Sequence, residues 1–397
     1  MTIDEQERSS ATPSGVAFSA APVTVGGHRF QFLPTGATAI DALEELINQA
    51  QHSLCLEMYI YKSDATGERI RAVLLTACAR GVRVRILLDD FGSAELAKNY
   101  FIELQKLGAE LRFFNPSRAL RAAFRNHRKL CVADRRIAVI GGINIGDEYA
   151  GDGVTQGWRD LGMRIEGALA QELEFTFDRM FVAARANTKA VIAFAYGRER
   201  KSASYHAPLL LTSGPGFHGS QLRKALHRDF WNANRVAIIA AYFTPPWQLR
   251  RALRSAAKRG IVRLLLPGKS DVPIMRLAAQ HLYERMLRHR IEIFEYQPQI
   301  LHSKLVVVDD VVYVGSCNFD VRSLQLNFDF MVRIPSGELA AQARSIFTQD
   351  LARSNAVTLT EWNANDGLWR RAIRFVAFWL ATRFDPFLAR RKWRALR

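Results

Sequence analysis

The sequence has no long apolar run. No stretch of about 18 or more apolar residues occurs in it, and a helix that crosses a bilayer needs roughly 20. No transmembrane helix is therefore expected. Cysteine is scarce: Cys55, Cys78, Cys131 and Cys317 are the only four, none spaced as C-x-x-C, and three lie inside apolar runs. That pattern argues against a disulfide framework and places the body of the protein in a reducing compartment. Acidic charge is in deficit, with 38 Asp+Glu against 55 Lys+Arg and a net charge of +17. Such a field favours an anionic partner: nucleic acid, an anionic membrane or a phosphorylated substrate. The opening residues, MTIDEQERSSATPSG, are polar and acidic, unlike a secretory signal. The glycine-rich stretch SGPGFHG around His218 has no Walker pattern and reads as an ordinary loop.

What is present is a globular composition, 49% hydrophobic over 397 residues, sufficient for two or three domains. Residues 1–25 are rich in Ser, Thr, Pro, Gly and Ala and are expected to form a loose arm. Helical spacing runs from Ala37 to Ala50, with Ala39, Leu43, Leu46 and Ile47 on one face. A strand over His52–Tyr61 carries one acid, Glu57. A helix over Gly67–Arg80, a strand over Val82–Leu88, a helix over Glu95–Leu107 and a strand over Glu110–Phe114 follow. Two strands then flank a tight turn at Asp134-Arg135, before a strand over Trp158–Glu166 and a helix over Leu169–Arg185. From Arg235 to Leu351 the same order recurs, with one helix expected over Ile274–Arg288. The repeat predicts an α/β fold of two halves related by a pseudo-twofold, each a mostly parallel mixed sheet flanked by helices. The first half spans 26–195 and the second 208–360. The junction is expected in the polar, basic run Tyr196–Ala207, and a basic tail occupies 361–397.

The chemistry lies in a motif that occurs twice. Asn126–Asn144 reads NHRKLCVADRRIAVIGGIN, and Leu301–Asn318 reads LHSKLVVVDDVVYVGSCN. Each holds H-x-K, an aspartate five residues on, a strand, a pair of small residues and an asparagine. A single H-x-K would be weak evidence; the extended form at matching places in a repeat is not chance. Residues i and i+2 of a strand face one side, so His127 points with Lys129, and His302 with Lys304. Packing the halves symmetrically brings both pairs to one cleft. Two ammonium groups there repel a metal ion and attract an anion, so no metal or cofactor is called for. A phosphodiester fits. One imidazole would attack phosphorus, the other would protonate the leaving oxygen, and the lysines, with Asn144 and Asn318, would stabilise the phosphoryl oxygens. Each ring needs an acid at its second nitrogen. Asp160 is the candidate for the first half and Asp329 for the second. Asp134 and Asp309 complete the motif but lie beyond the His/Lys positions, and a structural role at the turn, through a salt bridge, is expected of them. Glu57 has two readings, a counter-ion for an active-site lysine or a structural pair.

These motifs resemble the phospholipase D superfamily, whose signature is H-x-K-x4-D with a downstream G-G/S-x-N. Within it the chain is similar to bacterial cardiolipin synthases, on LEMYIY at Leu56–Tyr61, GVRVRILLDDFGS at Gly81–Ser93, WRDLGMRIEG at Trp158–Gly167, AYFTPP at Ala241–Pro246 and SLQLNFD at Ser323–Asp329. The resemblance covers most of residues 30–355. Where that family often has glutamate, this chain has the shorter Asp329. Many such proteins begin with membrane-spanning helices, so the chain resembles a peripheral branch. The resemblance implies transfer of a phosphatidyl group from phosphatidylglycerol to a second glycerol-headed lipid, without a cofactor or metal, through a phosphohistidine at His127. It implies phosphatidylglycerol and other anionic phospholipids as partners, at the cytoplasmic face of a bacterial membrane. Phospholipase D-type hydrolysis and a phosphodiesterase or nuclease activity are the alternatives.

The tail, Leu368–Arg397, favours the lipid reading over nucleic acid. At helical spacing Trp369, Ala372, Ile373, Val376, Trp379 and Leu380 share one face, with Arg370, Arg371 and Arg374 opposite and Phe378 interrupting the polar side. Pro386 is expected to end the helix. Tryptophan and arginine on an amphipathic helix suit an anionic interface; docking on the protein's own core is the competing reading. Since the repeat supplies both motif copies, a monomer suffices for one site.

Overall fold

The repeated strand and helix patterns fold into two eight-stranded mixed sheets. This computed structural model describes residues 21–114, 124–185, 205–215, 220–364, 367–384 and 386. The first half contains β1 (Val23–Val25), β2 (His28–Leu33), β3 (Ser53–Met58), β4 (Arg83–Asp89), β5 (Glu110–Phe114), β6 (Leu130–Ala133), β7 (Ile137–Gly141) and β8 (Gly162–Glu166). The second contains β9 (Leu209–Ser213), β10 (Arg235–Ala240), β11 (Phe243–Thr244), β12 (Ile261–Pro267), β13 (Ile291–Tyr296), β14 (Lys304–Val308), β15 (Val311–Gly315), β16 (Phe319–Asp320), β17 (Asp329–Pro335) and β18 (Ser354–Val357). The sheet orders are β1-β2-β8-β7-β6-β3-β4-β5 and β18-β13-β12-β10-β14-β15-β17-β9. Read in opposite directions they match strand for strand from β2 and β9 to β5 and β13, which is the repeat seen in the motifs. The parallel portion is narrower than expected: β3-β4-β5 in one half and β10-β12-β13 in the other, with antiparallel pairing elsewhere in both sheets.

Local signals act as the sequence suggests. Thr35 and Thr38 form a capping box at the start of helix Gly36–Gln49, whose Ala39, Leu43, Leu46 and Ile47 are all buried. Two helices differ from expectation. Only Ile102–Lys106 is helical within Glu95–Leu107, because Tyr100 and Phe101 turn inward to pack on Tyr61, with ring centroids 5.9 and 5.1 Å away. Ile274–Arg288 divides into Pro273–Gln280 and Tyr283–Leu287, where the His281 ring turns to Phe378 at 4.7 Å. The sheet also takes in Val23–Val25, from the expected arm. Residues 1–20, most of the junction at Tyr196–Ala207 and His218 lie outside the described residues.

The motif aspartates sit at the two hairpin turns in the left-handed region, Asp134 at φ 52° and Asp309 at φ 46°. Asp134 accepts from the backbone N–H groups of Gln51, His52 and Ser53 at 2.8, 2.7 and 2.8 Å. Asp309 accepts from the N–H of Arg235 at 2.8 Å and of Asn234 at 3.2 Å. Both carboxylates hold backbone amides at the turn, where the cation of a salt bridge was expected. Each carboxylate staples the 6–7 or 14–15 hairpin to the start of the neighbouring strand, β3 or β10. These amides hold the Asp134 carboxyl below its ordinary value although burial opposes them.

Replacing Asp134 with alanine should lower stability by about 1–2 kcal/mol at neutral pH, read from chemical denaturation. Because the folded pKa is depressed, this contribution is present above the unfolded value, about 3.9, and is lost as pH falls through the folded one. Unchanged stability at pH 7 would contradict the staple.

Candidate active site

Strand alternation at the entrance to β6 presents two faces. Asn126 and Arg128 turn one way and meet Glu57, fully buried on β3: Asn126 Nδ2 donates to Glu57 Oε1 at 2.8 Å, and Arg128 Nη2 lies 3.2 Å from Oε2. Glu57 is thus a structural pair and not a counter-ion for an active-site lysine. Burial raises its pKa, against the pull of Arg128. His127 and Lys129 turn the other way. Asp89, which the motif reading did not single out, fixes this segment through its carboxylate, accepting from Asn126 N at 2.9 Å. At the entrance to β14, Ser303 Oγ donates to Arg159 O at 3.0 Å, while His302 and Lys304 turn to the cleft.

The two halves meet through a matched pair of short parallel bridges, Asn126 with Phe328 and Arg159 with Leu301. His127 N donates to Phe328 O at 2.9 Å, and His302 N donates to Arg159 O at 2.8 Å. One residue beyond each bridge, an imidazole and a carboxylate face each other. His127 Nδ1 lies 3.0 Å from Asp329 Oδ1, and His302 Nδ1 lies 2.6 Å from Asp160 Oδ2. This corrects the expected pairing. Asp160 does not serve the histidine of its own half, nor does Asp329: each orients the ring of the other half. The reason is the bridge register, which joins residues about 142 and 202 positions apart and which no local pattern encodes. The short side chain of Asp329 reaches because the bridge brings its backbone close.

The two acids are supported differently. Ser316 Oγ donates to Asp329 Oδ1 at 2.7 Å. The matching position in the first motif is Gly142, where an added Cβ would stand 2.3 Å from Asp160 Oδ1. The Gly-Gly and Gly-Ser versions of the motif thus accommodate one acid and clamp the other. Aromatic rings back both histidines: Tyr59 lies 4.9 Å from His127, and Tyr149 and Trp158 each lie 5.4 Å from His302.

The two histidines, the two lysines and the two aspartates are all buried, His127 at 7% exposure and Lys129 at 1%. Lys129 Nζ donates to His127 O at 2.7 Å, and Lys304 Nζ to His302 O. Burial, then the Lys129 ammonium, push His127 down to about 4, against the opposing pull of Asp329. Burial and Lys304 push His302 down as well. Lys129 is driven well below its usual range by burial and then by the charge of Lys304. Lys304 is lowered by burial, with Asp160 and Asp329 pulling the other way. Asn144 Oδ1 accepts from Ile60 N at 3.1 Å. Asn318 is buried, and its Oδ1 has no hydrogen-bond partner among the described residues. With Nδ1–H directed at a carboxylate, each neutral ring keeps its lone pair on Nε2. The cleft therefore joins two potential nucleophiles or bases to two cations. The three side chains spaced as a metal-ligand group among the described residues, Cys55, Glu174 and Asp178, enclose Arg85, which lies 3.0 Å from Cys55 Sγ and 2.5 Å from Asp178.

Gly142→Ala should push Asp160 off His302 and lower turnover about a hundredfold, the order expected for a misplacement near 1 Å, while Ser316→Gly, which adds no bulk, should cost less. Full activity in Gly142→Ala, measured by steady-state kinetics, would show that this approach is not needed.

The family described as cardiolipin synthase, phospholipase D-like domain, matches residues 43–181 and 228–351. A cardiolipin synthase of Oceanobacillus iheyensis is 33% identical over 330 residues, covering 81% of this chain and 68% of that protein. Cardiolipin synthase B of Escherichia coli is 32% identical over 322 residues, covering 78% of this chain and 76% of that protein. Among solved structures, a phosphatidylserine synthase of Haemophilus influenzae superposes with a TM-score of 0.71 at 16% identity, over 89% of this chain and 92% of that one, which shows a shared fold. Two matched family segments, each with one complete motif whose histidine is completed by the other, place this chain in the cardiolipin synthase family of phospholipase D-like proteins.

Proposed function

We propose that the chain transfers a phosphatidyl group from phosphatidylglycerol to a second glycerol-headed lipid, releasing glycerol. The crossed pairing of two buried imidazoles with two carboxylates, beside two lysines, carries this reading. His127, held neutral by its low pKa, is the nucleophile. Its Nε2 forms a bond to phosphorus as the P–O bond to glycerol breaks, and His302 delivers the proton to the departing oxygen. The acceptor hydroxyl then returns a proton to His302 and attacks phosphorus, and the P–N bond breaks. Charge supports the assignment. Two lysines balance two aspartates in the cleft; a phosphodiester adds one negative charge, which favours protonation of one imidazole. The shorter contact to Asp160, 2.6 Å, suits His302 for the cationic role. Lys129 and Lys304, with Asn144 and Asn318, face the developing phosphoryl charge. One chain supplies both histidine–lysine pairs, which supports a monomer as a sufficient unit.

The tail supports work at a membrane surface. Helix Leu368–Trp379 docks on the second half through Ala377, buried at 3% exposure, and Phe378. Arg374, on the same side, lies over the Trp362 ring at 4.2 Å. The opposite side leaves Trp369 77%, Val376 52% and Trp379 46% exposed. The helix is therefore docked and still presents an apolar, tryptophan-bearing face. A π-helical turn, Leu380–Phe384, continues it. Pro386, expected to end it, is itself helical, and both its neighbours lie outside the described residues. No helix among the described residues is long and apolar enough to cross a membrane. We place the protein peripherally on the cytoplasmic face, a reading supported by four buried, unpaired cysteines and a basic tail suited to anionic lipid.

Labelled phosphatidylglycerol vesicles and lipid chromatography test the reaction. Cardiolipin with released glycerol is expected, and phosphatidic acid alone would assign water as acceptor and overturn transfer. His127→Ala and His302→Ala should each abolish product; turnover retained in either would break the paired mechanism. For the tail, Trp369→Asp with Val376→Asp should weaken pelleting with anionic vesicles at unchanged melting temperature. Equal pelleting would remove the tail from membrane binding.

A further inference from the structure

Away from the catalytic cleft, a cavity of about 160 Å³ is lined by Trp247, Arg250, Arg254, Leu282, Arg285 and Met286. Its three guanidinium groups have no carboxylate partner among the described residues. Glu284, next to Arg285 in sequence, is taken up by Arg288 at 2.7 Å. Arg250 Nε is buried with no hydrogen-bond partner among the described residues, and its guanidinium lies 5.5 Å from the ring of Phe378 on the tail helix. Burial and then Arg285, Arg254 and Arg383 push Arg250 down, and burial, Arg285 and Arg251 do the same to Arg254. The fold thus gathers like charges that repel one another, and a bound anion would relieve that repulsion.

The chemistry of the anion follows from the walls. Guanidinium forks match the oxygens of a phosphate. Leu282 and Met286 offer apolar surface to whatever that phosphate carries, and Trp247, 58% exposed, stands at the rim as an interfacial residue. The cavity borders the tail helix, whose outer face bears the exposed tryptophans. We propose that the pocket of Arg250, Arg254 and Arg285 binds the phosphodiester headgroup of an anionic phospholipid, as a site separate from the catalytic cleft. The proposal rests on the membrane reading of the tail helix for the source of that lipid. Such a site would fix the enzyme's orientation on the surface from which the cleft draws substrate.

Three full-length proteins test it: wild type, Arg254→Gln/Arg285→Gln, and a charge-matched control in the first half, Lys98→Gln/Lys106→Gln. Each is titrated with short-chain, monomeric phosphatidylglycerol, with inorganic phosphate, and with phosphatidylglycerol vesicles diluted in phosphatidylcholine. Without ligand the pocket variant should melt no lower than wild type, since repulsion has been removed. Its melting shift with the short-chain lipid should be smaller than that of wild type and control. Its vesicle affinity should fall about tenfold or more, beyond the loss in the control, which reports surface charge alone. Equal lipid-induced shifts in wild type and pocket variant would overturn the proposal. A phosphate-induced difference as large as the lipid-induced one would overturn the headgroup assignment. The short-chain lipid needs no membrane, so this readout stands even if the tail substitutions leave vesicle binding unchanged.

Discussion

Each imidazole is held by a carboxylate that the other half of the molecule supplies, and most of the structure serves that crossing. His127 depends on Asp329 and His302 on Asp160. Neither half contains an oriented histidine by itself. The two short bridges at Asn126–Phe328 and Arg159–Leu301 set the register, and a slip of one residue would turn both acids away. A core shared by the halves, with Leu173 and Phe177 from one and Ile346 and Phe330 from the other, keeps the register in place. Arg159 adds a buried tie across the interface, Nε to Asp350 Oδ1 at 2.8 Å.

The crossing also accounts for charge. Two ammonium groups and two carboxylates are removed from water together, and a buried charge is costly unless paired. Their mutual placement keeps the cleft close to neutral, while burial lowers both histidines and both lysines. The halves are nevertheless not equivalent. Behind His127 stand Glu57, Arg128 and Asn126; behind His302 stands Ser303, with its hydroxyl on a backbone carbonyl. Ser316 clamps Asp329, whereas Gly142 lets Asp160 approach. The two copies of the motif thus have different surroundings, which would suit the division into nucleophile and acid proposed above.

Much of this was legible in the sequence. The repeated H-x-K with its aspartate located the site because strand alternation makes His127 and Lys129 cofacial. The position of Asp134 beyond that pair pointed to a turn role, although amides replace the salt bridge. The apolar face of the tail helix was visible in its spacing. The partner of each histidine was not legible, since Asp160 and Asp329 are equivalent candidates until inter-half register is known. Asp89 was hidden for a related reason: its partner, Asn126 N, is a backbone group brought near only by the sheet. Glu57 was open between two roles because a strand pattern shows that a residue is buried and not which cation it meets. The narrow parallel core escaped notice because hairpins and crossovers share the same strand signals.

The crossed pairing is tested most directly by nitrogen-resolved histidine spectra of wild type, Asp160→Asn and Asp329→Asn. The structure predicts that Asp160→Asn changes the ring resonances and titration of His302 strongly, leaving His127 nearly as it was, and that Asp329→Asn does the converse. Perturbation of His127 by Asp160→Asn, with His302 unmoved, would contradict the account.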